Sequence, residues 1–165
     1  MRVRKGKVAP AIVALVASAG AGAGTATGTF TVQATINSAC LVSATTLNFG
    51  TYNPASGAAL TGTSTISVNC TSGSPYTTAL NVGSGGGTFA TRTLLNGSDT
   101  LNFNLYRDSA YSQVWGDGSG STYTVAGTGS GLLTANTITV YGQIPISQDK
   151  PVGAYTSLIT VTVSY

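Results

Sequence analysis

Past Gly28 the chain is written in short runs whose apolar and polar residues alternate. In GTFTVQATINSAC, Gly28 to Cys40, the side chains Phe30, Val32, Ala34 and Ile36 fall on one face and Thr31, Gln33 and Thr35 on the other. Strict alternation is the mark of a half-buried strand. No segment holds a helical period for three turns. The pattern predicts strands over Thr29 to Asn37, Leu41 to Phe49, Thr63 to Cys70, Thr77 to Val82, Thr100 to Tyr106, Tyr123 to Ala126, Thr137 to Ile144 and Tyr155 to Tyr165.

Glycine-rich, serine-rich and asparagine-rich punctuation separates these runs: SGSP, VGSGGGT, LNGSD, GDGSGS and GTGSG. Strands at that spacing predict an all-β chain built as a two-sheet antiparallel sandwich, with a closed barrel as the alternative. In the final run Ile159, Val161, Val163 and Tyr165 alternate with Thr160, Thr162 and Ser164. A full immunoglobulin-like sandwich sets a further strand beside such a run, and none follows in this sequence. An unpaired edge exposes donors and acceptors to any other strand, and the alternating run at the other terminus is a matching partner. Only Asn37, Ser38 and Ala39 separate Ile36 from Cys40, a span of roughly 13 Å at full extension. That is short for a reversal and a crossing to a distant edge. Geometry therefore favours pairing with another molecule, and a hairpin with the next strand is the alternative.

The first residues change the reading of charge. Arg2, Arg4, Lys5 and Lys7 precede an apolar run from Val8 to Ala19, which passes into AGAGAG. This is the pattern of a secretory signal, with cleavage expected near Ala23 and no later than Ala26. Pro10 and the glycines make the run a poor match for roughly 30 Å of hydrocarbon. Without it, Arg92, Arg107 and Lys150 stand against Asp99, Asp108, Asp117 and Asp149, so the formal charge of +3 becomes 3 − 4 = −1. The basic pI belongs to the leader and gives no footing for nucleic-acid binding. The expected parts are a signal peptide at 1–23, an N-terminal extension at 24–39 and a sandwich domain at 40–165.

Cys40 and Cys70 both lie in the exported part, where an even count favours a disulfide worth roughly 3 to 4 kcal/mol in the chain-entropy model. Two free thiols are the alternative. There is no histidine and no glutamate, which removes the usual general acids and bases and predicts no enzyme, metal site or cofactor. The glycine clusters match no phosphate-binding pattern ahead of a helix. Asp117, a lone carboxylate among glycines, reads as a turn before it reads as a calcium ligand. Trp115, Tyr111 and Tyr123 read as core aromatics, against an exposed sugar-binding platform.

Several pieces in order carry a resemblance: the alternating strand before Cys40, LNFGTYNP at Leu47 to Pro54, ISVNC at Ile66 to Cys70, LNFNLYRDSAYSQVWGDG at Leu101 to Gly118, TVYGQIP at Thr139 to Pro145, and PVGAYTSLITVTVSY at Pro151 to Tyr165. Together they resemble the spore coat protein U domain, the fold of archaic chaperone-usher pilins such as the Csu-type major subunit. The resemblance implies an incomplete immunoglobulin-like sandwich completed by donor-strand complementation. It implies a periplasmic chaperone and an outer-membrane usher as partners, then neighbouring pilin subunits, in a fibre on the cell surface serving adhesion or biofilm formation. The donor residues would be Phe30, Val32, Ala34 and Ile36, and the acceptor strand would carry Ile159, Val161, Val163 and Tyr165. A non-polymerising spore-coat or surface protein of the same fold is the second reading, and a carbohydrate-binding module the third.

Overall fold

The computed structural model describes residues 20 and 22–165, so most of the signal peptide read over residues 1–23 lies outside the described residues. The chain divides into two units, residues 1–35 and residues 36–165. In the first, the described residues form no helix or strand, and Phe30 and Val32 are 86% and 81% exposed. The strand expected over Thr29 to Asn37 is therefore not formed here. A strand exists by virtue of the ladder it shares, and this segment has no strand partner among the described residues.

Residues 36–165 fold as antiparallel strands: β1 (Cys40–Ala44), β2 (Leu60–Cys70), β3 (Pro75–Leu80), β4 (Arg92–Asn96), β5 (Asp99–Tyr106), β6 (Val125–Thr128), β7 (Asn136–Ile144) and β8 (Val161–Ser164). They make a five-stranded sheet in the order β1-β2-β7-β5-β4 and a three-stranded sheet in the order β6-β3-β8. The expected sandwich is the fold. Alternation decides which residues meet between the sheets. Ile66, Val68 and Cys70 of β2, Val140 and Ile144 of β7, and Leu101, Phe103 and Leu105 of β5 are buried against Tyr76 and Leu80 of β3. Trp115 is fully buried, and its indole N–H donates to the Thr78 carbonyl at 3.2 Å. It belongs to the core and not to an exposed platform, whereas Tyr123 is 43% exposed.

Two expected strands are shorter than their periodicity, and one observed strand was not expected. The run from Leu41 to Phe49 ends as a strand at Ala44. The final run from Tyr155 keeps ladder pairing only over Val161–Ser164, with an isolated bridge from Thr156 to Leu95. Strand β4, Arg92–Asn96, was missed because its first residue is an arginine facing inward and its leucines are adjacent. The signal for it was LNGSD: Asn96 pairs with Asp99 around Gly97 at φ 61, a two-residue hairpin that needs glycine at its first central position.

Arg92 is fully buried and has no carboxylate partner. Its Nε donates to the Asn81 carbonyl (3.0 Å), Nη1 to Asn104 Oδ1 (2.6 Å) and Nη2 to the Trp115 carbonyl (2.6 Å). Asn104 in turn donates to the carbonyls of Phe89 and Ala90 at 2.9 and 3.0 Å. Burial pushes the Arg92 pKa down to about 10, opposed by the nearby Tyr106 hydroxyl, so the guanidinium stays charged at neutral pH. Its planar fork serves three acceptors from three separate nitrogens, a spread that the single nitrogen of an ammonium cannot span. Arg92→Ala should therefore lower stability by about 3 kcal/mol or more, since the Asn81 and Trp115 carbonyls lose their donor at ~1–3 kcal/mol each, while Asn104 Oδ1 keeps only the Leu105 N–H. Arg92→Lys should recover little of it. Urea unfolding of the two variants checks this, and near-native midpoints for Lys would contradict the three-acceptor account.

Candidate strand-acceptor groove

Strand β1 pairs with β2 from Cys40↔Cys70 to Ala44↔Ile66, and a Cys40–Cys70 disulfide pins its first residue. The pairing ends at Thr45, whose N–H donates to the Thr65 carbonyl at 3.0 Å. There the inward phase slips by one residue. Cys40, Val42 and Ala44 share the parity of inward Ile66, Val68 and Cys70, but beyond the slip it is Leu47 and Phe49 that pack on the core. The chain thus leaves the ladder and crosses onto the inner face of the sheet, over Gly62 of β2 and Gly142 of β7. Past Thr45 and up to Tyr52, the backbone donates, among the described residues, only from Gly50, to the side chain of Asn48 at 2.8 Å.

The final run forms the opposite rim. Thr156 exchanges hydrogen bonds with Leu95, Leu158 C=O accepts from Ser84 N–H (2.9 Å), Thr160 C=O accepts from Asn81 N–H (3.2 Å), and Thr162 and Ser164 pair with Ala79 and Thr77. All of these are even-numbered positions. Because successive residues of a strand address opposite edges, Tyr155, Ser157, Ile159, Val161 and Val163 turn their N–H and C=O groups away from β3. On that side no strand pairs among the described residues. The same odd-numbered residues point their side chains inward, where Tyr155, Ile159, Val161 and Val163 pack partly buried on the core.

Between the two rims lies a groove of about 1050 Å³. Its floor is apolar, with Ile66, Leu80, Leu101, Phe103, Val140 and Ile144 among the lining residues, and its walls include Leu47, Phe49, Tyr155, Ile159 and Val161. One end is built from hydrogen bonds. Tyr52 donates its hydroxyl hydrogen to the Pro145 carbonyl and accepts from Gln148 N–H, both at 3.0 Å, and Gln148 exchanges two further bonds with the Asn102 backbone at 2.7 and 2.9 Å. Asp149 and Lys150 are the charged residues among the lining. Such a cleft takes apolar side chains from above and main-chain hydrogen bonds from both sides.

The residues expected to form the acceptor strand divide: Ile159 and Val161 line the groove, Val163 lies on the same edge beyond it, and Tyr165 is 58% exposed past the end of β8. Of the expected donor residues, Phe30, Val32 and Ile36 are 86%, 81% and 84% exposed, and Ala34 is exposed as well. Sequence reasoning did not find the rim at Leu47 to Tyr52 or the end wall at Gln148. Asp117 sits in a turn, where hydrogen bonds from the Ser119 hydroxyl and amide hold its carboxyl below the usual range.

Comparison with known proteins adds a lineage to this geometry. Residues 26–162 match the Spore Coat Protein U domain. The chain belongs to the Spore Coat Protein U domain family. Among its relatives is Protein U of Myxococcus xanthus, 34% identical over 148 residues, with 80% of each chain covered. Among solved structures it is similar to a chain in the crystal structure of the CsuC–CsuE chaperone–tip adhesion subunit pre-assembly complex from the archaic chaperone-usher Csu pili of Acinetobacter baumannii. That likeness has a TM-score of 0.56 at 22% identity and covers 79% of this chain and 40% of the other, so it is a likeness of fold.

In this Spore Coat Protein U domain the rim depends on missing side chains beneath it. A Cβ at Gly142 of β7 would stand 2.7 Å from Leu47 Cδ1 and 2.8 Å from Phe49 Cζ. Glycine there lets the wandering segment sink onto the sheet. Gly142→Val should cost about 1–3 kcal/mol as overpacking and lift Leu47 and Phe49 out of the groove wall. Urea unfolding measures the first, and nuclear Overhauser contacts between Leu47 and position 142 report the second. A fully native midpoint would show that the rim does not rest on this glycine.

Proposed function

We propose that this protein is a structural subunit of a secreted surface fibre of the archaic chaperone-usher kind. It polymerises by laying its N-terminal strand in the groove of a neighbouring copy. The observation that carries the reading is the free edge of Tyr155 to Val163 above an apolar floor, in a chain that also holds an unpaired alternating segment. Strand addition to a sheet edge takes affinity from main-chain hydrogen bonds and register from alternating side chains in pockets. Phe30, Val32, Ala34 and Ile36 supply the alternating face. Burying Phe30, Val32 and Ile36 at ~1.5–3 kcal/mol each contributes roughly 5 to 9 kcal/mol before ordering costs.

The inserted strand runs antiparallel to the final run in this reading. Every ladder between the strands β1 to β8 is antiparallel, and antiparallel bonding is the slightly stronger form. A parallel strand would leave the groove near Ser164, which pairs with Thr77 at the disulfide end. The subunit's own extension departs from that end, so two chains and two domains would crowd there. The head-to-tail contact is heterologous and does not close on itself, which gives a fibre. Before assembly a periplasmic chaperone covers the groove, and an outer-membrane usher exchanges the chaperone for the next subunit. The product serves surface attachment or biofilm formation, with no enzymatic step.

The family's description as a spore coat domain favours a second reading, a non-polymerising coat protein of the same fold. One experiment separates the two. Exported protein run in SDS without boiling should give a ladder that collapses on heating. Val32→Asp or Ile36→Asp should abolish the ladder while leaving a foldable monomer. An unchanged ladder in both variants would refute strand insertion, and a folded wild-type monomer that never polymerises would favour the coat protein.

A further inference from the structure

The loop between β6 and β7 carries an anomaly. Thr134 N–H donates to the Gly131 carbonyl at 3.1 Å, closing a turn whose two central residues are Leu132 and Leu133. Turn corners usually hold Gly, Pro, Asn or Asp. Here they hold leucines that are 44% and 101% exposed. The loop is held in place: Gly131 N–H donates to the Cys70 carbonyl at 3.0 Å, and Asn69 Nδ2 donates to the Leu132 carbonyl at 3.2 Å. Beside it Leu41, paired with Asn69, is 66% exposed. Among the described residues no contact accounts for so much apolar surface at one end of the domain, and such patches mark interaction sites.

This patch sits at the root of the N-terminal extension. Ala39 is tied to Thr71 by three hydrogen bonds of 2.9 to 3.3 Å, so Asn37 and Ser38 are all that separates the anchored backbone from Ile36. That is roughly 10 Å of chain. If Ile36 is seated in a neighbour's groove, the mouth of that groove must lie against the disulfide end of the donor, where Leu41, Leu132 and Leu133 project. In the antiparallel sense the mouth is the Tyr155 end. It is flanked by the loop from Pro145 to Gly153, in which Val152 is 99% exposed and Ile146 is 49% exposed. The two ends of one domain therefore carry complementary apolar tips that no strand covers.

We propose that a second copy of this chain docks its Leu132 and Leu133 tip, together with Leu41, on Val152 and Ile146 at the mouth of the groove that its own extension enters. The result is a head-to-tail apolar seam between successive subunits. The seam is separate from the inserted strand, and it limits how far one subunit can swing about the short link to the next. It rests on the strand-insertion reading above.

The test uses exported full chain carrying Leu133→Cys together with Val152→Cys. The expected result is a ladder that survives boiling in SDS without reductant, collapses when reductant is added, and is absent from each single variant. No such ladder, with the unboiled ladder intact, overturns the seam and leaves strand insertion standing. Loss of both ladders removes the reading beneath it. Cross-linking of Leu133→Cys with Ser164→Cys instead would place the contact at the wrong end and also overturn the proposal. Independently of thiol chemistry, Leu132→Ser with Leu133→Ser should leave the heat-labile ladder unchanged while images of the fibres show larger bends between subunits. Equally straight fibres would count against the seam.

Discussion

The structure turns on a strand edge that is free on one side and apolar beneath. Backbone N–H and C=O groups that face no partner must find water, and buried ones that fail to do so cost as much as a lost hydrogen bond. Water can solvate the edge from Tyr155 to Val163, but only by also standing over Ile66, Leu101, Phe103 and Val140 on the groove floor. Both penalties are removed by one object: an extended chain with an apolar residue at every second position. A small-molecule ligand relieves the second penalty alone. A hydrophilic strand relieves the first alone.

An open groove of that size is tolerable because its surroundings are fixed several times over. The disulfide holds the root of β1, and Gln148 and Tyr52 lock the far end with hydrogen bonds. Arg92 joins the ends of β3 and β4 to the backbone at Trp115. A buried guanidinium without an anion is an expensive group, and its expense is met only when every acceptor is in place. It therefore specifies one arrangement of the elements behind the groove. The final run is shared between both layers, touching β4 at Thr156 and β3 from Leu80 onward. That sharing keeps the rim in position while its outer edge stays vacant.

What was legible in the sequence follows from the same physics. Antiparallel sandwiches bury alternate residues, so most strands announced themselves through a period of two, and the even pair of cysteines announced the disulfide. The final run was legible as a strand along its whole length. The ladder over its first part is thinner because the side chains of Asn81 and Ser84 take the place of backbone acceptors for Thr160 and Leu158. The rim at Leu47 was hidden by a slip of one residue. LVSATTLNF looks like one strand unless the parity of Cys40, Val42 and Ala44 is compared with that of Leu47 and Phe49. Strand β4 was hidden because its inward arginine is scored as a surface residue. The groove itself is a relation between segments more than a hundred residues apart, Leu47 against Ile159, and no local pattern encodes it.

Charge has almost no part at the groove itself. Seven charged side chains follow residue 23, three basic and four acidic, and only Asp149 and Lys150 among them line the groove. In the proposed fibre, specificity between copies must then come from shape and register. A one-residue slip of an inserted strand turns every apolar side chain toward solvent, so alternation alone rejects wrong registers by the full burial energy of Phe30, Val32 and Ile36. What alternation cannot reject is a slip of two residues, which keeps every face correct. Ala34 matters in that case: a small residue between larger ones makes a shift by two set Val32 or Ile36 where Ala34 belongs. The short tether from Ile36 to Ala39 adds a second discriminator, because a strand inserted two residues too deep would drive the disulfide end of its own domain into the neighbour's loop from Pro145 to Gly153.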